Sequence, residues 1–203
     1  MATPNNPTQN LVRPTRFKLV RLIVIVLLAL IIFVGLTVLI IWLTIKPKKL
    51  AYSIDDVAIH NYYLSNANHL NATYNLTLSA YNPNKKVSIY YDKVDIIVLY
   101  DDETISRGTI DAFYQPKINT TRFKLNLASH DVALPDRIAR DLKVERTLGR
   151  IELRVKLKTR IRFKLGMWKS RQYDHMKVSC APLMVHFSSS SKGFKRTMCD
   201  VDF

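Results

Sequence analysis

No charge interrupts the apolar residues from Leu22 to Ile45, and beyond Leu50 the pattern becomes short stretches in which apolar and polar residues alternate. As a helix, the first block of 24 residues is about 36 Å long, against a hydrocarbon core of about 30 Å. It predicts one membrane-spanning helix over 22–45, since aliphatic residues all round leave no polar face for a soluble core helix. A cleavable signal has an apolar core of about 7 to 15 residues followed by a small-residue site. This block runs directly into Lys46, Pro47, Lys48 and Lys49, which reads as an uncleaved signal-anchor.

The second pattern predicts strands. Between Leu70 and Ala80 every second residue is apolar, with Asn71, Thr73, Asn75, Thr77 and Ser79 between them. Asn82-Pro83-Asn84 marks a turn, followed by strands over Val87–Tyr91 and Val94–Tyr100. Asp101-Asp102-Glu103 reads as a solvated hairpin turn rather than as a Ca²⁺ site. Thr121–Leu127 alternates again, and Pro135–Leu148 breaks the alternation with Ile138, Leu142 and Glu145 at helical spacing, which predicts one short helix started by Pro135. Ile151–Leu165 is the longest alternating run. Val178–Phe187 and Thr197–Phe203 add two strands around a polar turn at Ser188–Ser191. The expected fold is mainly β: a transmembrane helix, then an antiparallel β-sandwich of about seven strands with one short helix. The expected domains are a disordered cytosolic tail over 1–21, the anchor over 22–45 and the β-sandwich domain over 46–203.

Composition narrows the chemistry. The five glycines are scattered and make no phosphate-cradling loop, which excludes Rossmann and P-loop nucleotide enzymes. His60, His69, His130, His175 and His186 make no H-E-x-x-H pattern, and no Gly-x-Ser-x-Gly elbow occurs. No catalytic, cofactor or metal residues are assigned. Cys180 and Cys199 both fall on the inward parity of their strands. In an oxidising compartment a bridge between them is expected to stabilise the domain by about 3 kcal/mol, the alternative being two buried thiols.

Orientation follows from the sequons. Arg13, Arg16, Lys18 and Arg21 before the block nearly balance Lys46, Lys48 and Lys49 after it. The acceptors Asn71, Asn75 and Asn119 all lie beyond the block, which favours glycosylation in the lumen and a cytosolic N-terminus.

The net charge of +15 is concentrated late in the chain. From Arg137 to Lys177 there are fourteen Lys and Arg against four Asp and Glu. Arg154, Lys156, Lys158, Arg160, Arg162 and Lys164 share the polar face of the long strand, a positive row of roughly 33 Å. It suits anionic lipid headgroups, acidic wall polysaccharide or a protein partner, or it is a solvated face that discourages edge pairing. Nucleic acid is excluded because no aromatic residues interleave on that face and a lumenal address removes the target.

Several words of the sequence together resemble a known family: the N-terminal anchor, Asn82-Pro83-Asn84-Lys85-Lys86, Ile89-Tyr90-Tyr91-Asp92, Phe113-Tyr114-Gln115, Asn119-Thr120-Thr121, Arg162-Phe163-Lys164-Leu165-Gly166 and Cys180. In order and over the whole chain they are similar to the plant non-race-specific disease resistance and harpin-induced-like proteins, whose extramembrane part resembles the group 2 late embryogenesis abundant domain. The resemblance implies a plasma-membrane protein with an extracellular domain like fibronectin type III or immunoglobulin sandwiches. It also implies associations with defence, senescence or stress, without established catalytic residues. The expected function is non-enzymatic binding, with two alternatives: a structural tether from membrane to wall through the basic face, and a lipid held inside the sandwich.

Overall fold

The computed structural model describes residues 15–45, 48–187 and 194–203; the Ser188–Ser191 turn and the tail before Thr15 lie outside the described residues. The chain divides into two units, residues 1–46 and 47–203. In the first, helix α1 (Thr15–Ile45) starts seven residues before the uncharged block. Within it Lys18–Ile40 is long and apolar enough to cross a membrane, and none of that window is buried against protein.

The second unit is one antiparallel sheet folded over a single core. Strand β1 (Ala51–Leu64) pairs with β2 (His69–Asn82), and β2 with β7 (Asn119–Ala133). On its other edge β1 pairs with β11 (Thr197–Asp202), which pairs with β10 (Asp174–His186), which pairs with β8 (Arg150–Leu165). Beyond β8 lie β4 (Val94–Tyr100) and then β5 (Glu103–Ile110), while β3 (Val87–Tyr91) pairs with the end of β8 and with β6 (Phe113–Gln115). The two-residue β9 (Trp168–Lys169) folds back on β8. The two expected layers are therefore halves of one continuous sheet, joined through β11.

The free edges of the halves, β5 and β7, meet through side chains. Ser106 Oγ donates to the carbonyl of Ala128 (2.7 Å) and Ser129 Oγ to that of Ile105. Gly108 permits this approach, because a Cβ there would lie 2.1 Å from Leu127 Cδ2. The core between the halves draws on every long strand, including Ile54, Leu78, Ile96 and Ile161. Helix α2 (Asp136–Leu148) covers it with Ile138, Ala139 and Leu142, and ends at Gly149, whose φ of 74° allows its N–H to bond back to Arg146 and Glu145. Inside, beneath Tyr52, Tyr91 and Met176, the cavity measures about 10 Å³, the room of about one water. An acyl chain does not fit there.

Cys180 and Cys199 form the expected disulfide, with Cα atoms 4.3 Å apart. The β10–β11 ladder pairs Ser179 with Asp200, so the bridge falls at the next step of the same ladder. It fastens β11 where β10 loses register, between Cys180 and Leu183.

The words that carry the family resemblance make a buried polar network. Asn82 donates to the carbonyls of Val87 and Pro116, both at 2.9 Å, and its Oδ1 accepts from the N–H and the amide of Asn84, both at 3.0 Å. Gln115 donates to the carbonyls of Ala80 (2.7 Å) and Asn119 (3.2 Å) and accepts from the Tyr91 hydroxyl (2.9 Å), which itself accepts from Tyr52 (2.7 Å). Burial pushes the Tyr91 hydroxyl well above its ordinary value, so it stays a protonated donor. These residues organise the turns that follow β2 and β6.

Candidate functional site

Strict alternation along β8 places Leu153, Val155, Leu157 and Ile161 in the core and turns the six predicted cations outward. The register then sets their neighbours. Arg154 pairs with Asp102 at 2.5 Å and Arg160 with Asp92 at 2.7 Å. Lys158 stands between Asp95 on β4 and Lys177 on β10, and Lys177 stands opposite Asp202 on β11. The row is thus interleaved with acids that come from other strands and from the turns beside them. Lys156 lies between Ile97 and Ser179, Arg162 faces Tyr90, and Lys164 faces Ser88. Lys156, Arg162 and Lys164 have no ion pair among the described residues.

Aromatic residues do lie on this face, contrary to the pattern along β8 alone. The guanidinium of Arg162 sits 4.4 Å from the ring centre of Tyr173, and that of Arg160 5.2 Å from it. Lys169 approaches the Tyr90 ring at 3.9 Å, and Tyr90 packs on Tyr114 at 4.8 Å. A shallow depression of about 300 Å³ opens among Tyr90, Asp92, Phe113, Tyr114, Arg162 and Tyr173, its one carboxylate, Asp92, being paired with Arg160. The rings come from β3, β6 and the segment after β9, so neither β8 nor its spacing announces them. Cations against exposed ring faces can hold carboxylate or phosphate groups while the rings stack on flat or sugar-like surfaces.

The sequons lie on the other half of the sheet. Asn75 is exposed on β2, Asn71 accepts a bond from the N–H of Asp131 (2.9 Å), and Asn119 accepts one from Thr121 of its own sequon (3.3 Å). Elsewhere Asp55 ties three strands. Burial pushes its carboxyl up, but hydrogen bonds from Ser79 and Ser53, with Arg196 and Arg122 nearby, hold it below the ordinary value. No group of three or more His, Cys, Asp or Glu suited to a metal occurs among the described residues.

The family model described as late embryogenesis abundant protein matches residues 77–180, just over half of the chain. The chain belongs to the late embryogenesis abundant family. Several relatives carry the name NDR1/HIN1-like. NDR1/HIN1-like protein 10 of Arabidopsis thaliana is 31% identical over 91% of this chain and 84% of its own length. NDR1/HIN1-like protein 3 of the same plant is 30% identical over 88% and 78% respectively. An uncharacterized Arabidopsis protein is 34% identical over 91% of this chain and 84% of its own. The segment matched by the late embryogenesis abundant model holds the Asn82 and Gln115 network, all of β8 and Cys180, whereas β1 and β11 lie outside it.

Proposed function

We propose that the protein is a single-pass plasma-membrane protein with a cytosolic N-terminus, an extracellular β-sandwich and no catalytic activity, acting by binding in plant defence, senescence or stress. The observation that carries the binding reading is the outward face of β8, where Lys156, Arg162 and Lys164 stand without ion pairs and Arg162 and Lys164 lie against the rings of Tyr173 and Tyr90. The anchor reading is supported by the uncharged stretch of α1, and the extracellular reading by the disulfide and by sequons that all follow the helix. Digestion of the expressed protein with an N-glycosidase should therefore increase its gel mobility. Unchanged mobility, together with cleavage of the domain by protease from the cytosolic side, overturns the topology.

A second reading, a tether between membrane and wall, is favoured by the aromatic depression at Arg162, since stacking rings beside a cation suit a polyuronate. Reversal of Lys156, Arg162 and Lys164 to Glu should leave the domain folded, because all three are half-buried on the outward face of the sheet and surface changes usually cost within about 0.5 kcal/mol each. It should also weaken retention on polygalacturonate. Retention by the wild type should fall as salt shortens the screening length from about 10 Å at 0.1 M to about 3 Å at 1 M. Cross-linking in intact cells separates the readings: a specific protein captured by the wild type and lost by the variant supports signalling, and salt-sensitive wall retention without one supports the tether. Equal behaviour of both forms leaves this face as solvated surface.

A further inference from the structure

The end of the domain that the chain enters at Lys48 carries a second surface, apart from the row along β8. The side-chain amide of Asn84, in the turn after β2, accepts from the N–H of Lys48 at 2.6 Å and donates to its carbonyl at 3.0 Å. The carbonyl of Asn84 also accepts the N–H of Ile118, in the turn after β6, at 3.3 Å. Asn82 holds Val87, and Val87 pairs with Leu165, the last residue of β8 before its hairpin with β9. Three turns and the entry segment are thereby gathered at one end.

The side chains of that end have a consistent character. Lys48, Lys49, Lys85, Lys86 and Lys117 are all exposed, and residues 48–49, 83–86, 116–118 and 166–169 contain no acid. Among these cations three large apolar side chains face solvent: Ile118 is 56% exposed, Trp168 66%, and Met167 fully. Gly166 turns the hairpin with a φ of 58°, which leaves Met167 at the turn beyond the strand ends and Trp168 opposite Leu165 as the first residue of β9. Ile118 holds a φ of 46°, a left-handed conformation that strains a β-branched residue and that packing inside the domain does not reward.

We infer that this end of the domain docks on the phosphate-bearing surface of the bilayer that holds α1, its lysines on headgroup phosphates and Ile118, Met167 and Trp168 in the interfacial layer. Charge complementarity selects an anionic surface, and tryptophan beside cations and aliphatic tips is the composition that settles at a membrane interface. Reach agrees: two residues, Lys46 and Pro47, separate Ile45 from Lys48, so the three steps cover at most about 11 Å of extended chain. The inference rests on the membrane-spanning reading of α1. The docked end fixes which way the basic face of β8 looks.

The chain has two tryptophans, Trp42 and Trp168, so Trp42→Phe leaves Trp168 as the sole reporter. The full chain is reconstituted into phosphatidylcholine vesicles with and without phosphatidylserine, washed with alkaline carbonate and floated. Protein that washes off refutes the membrane-spanning reading and the docking with it. Protein that stays tests the docking alone. The expected result is Trp168 emission shifted to the blue, largely lost with brominated acyl chains and shielded from iodide, with the iodide access restored by Lys85→Glu, Lys86→Glu and Lys117→Glu together. Retained protein with water-like, unquenched Trp168 emission overturns the inference. So does a Trp168 shielded from iodide but untouched by brominated lipid, which assigns this end to a second copy of the chain or another protein.

Discussion

Replacing Cys180 and Cys199 together by serine is expected to lower the thermal midpoint of the domain by roughly 10 °C. The bridge closes a loop between residues 19 apart in sequence, which in the chain-entropy account constrains the unfolded state by about 3 kcal/mol. For a domain of this size each kcal/mol moves the midpoint by roughly 2 to 4 °C. The native side adds to this. β11 is held by three register positions to β1 and three to β10, and it joins the two halves of the sheet. Loss of the bridge should therefore appear first as hydrogen exchange in β11 and at the end of β10, before global unfolding. Thermal unfolding of the full chain in detergent or nanodiscs measures the midpoint, and an unshifted midpoint with β11 still protected would show that the six ladder positions suffice.

Asn82→Ala is expected to cost roughly 3 to 5 kcal/mol, more than any single change on the surface. The Asn82 side chain is 0% exposed and uses its full bonding capacity: two donated and two accepted hydrogen bonds. Alanine strands the Val87 and Pro116 carbonyls and the Asn84 N–H. Each buried group left without a partner costs about 1 to 3 kcal/mol. The comparison variant is Asn82→Asp, which keeps the shape but turns an acceptor toward two carbonyls, and it should be no more stable than alanine. Denaturant unfolding of both reads the difference. An aspartate variant as stable as the wild type would mean that packing, and not donation to the two carbonyls, fixes this turn.

Much of the fold is legible in the sequence wherever one face of a strand is buried and the other is wet. The runs in β2 and β8 announce themselves because a period of two survives along their whole length. Strand β1 does not. Its ladder with β2 shifts register between Ile54 and Asp56, so Ser53, Ile54, Val57 and Ala58 are all buried while the acids Asp55 and Asp56 lie between them. A bulge erases the alternation that a linear reading depends on. Strands β6 and β9, of three and two residues, are too short for any period. The candidate site was half legible for a related reason. The six cations of β8 are contiguous in parity and visible, but Asp92, Asp95 and Asp102, which interleave with them, and Tyr90, Tyr114 and Tyr173, which make the ring surface, arrive from other strands and from the turns between them. The Asn82-Pro83-Asn84 word was legible as a turn, whereas its bonds to Lys48, Val87 and Pro116 depend on segments that only folding brings together.

Pairing between β1 and β11 sets a condition on how the molecule is made. The first strand of the domain finds one of its two neighbours in the last strand described, more than 130 residues later in synthesis, and between them they close the sheet. Until residues from Thr197 onward have emerged, β1 and β10 each keep an unpaired edge facing the other, a long-range closure of the kind that folds slowly. During synthesis the domain therefore waits, open along one seam, for β11. A nascent chain held just short of Thr197 would present that seam to chaperones or to a neighbouring copy, and release of the final strand is the event that commits the domain to its closed form.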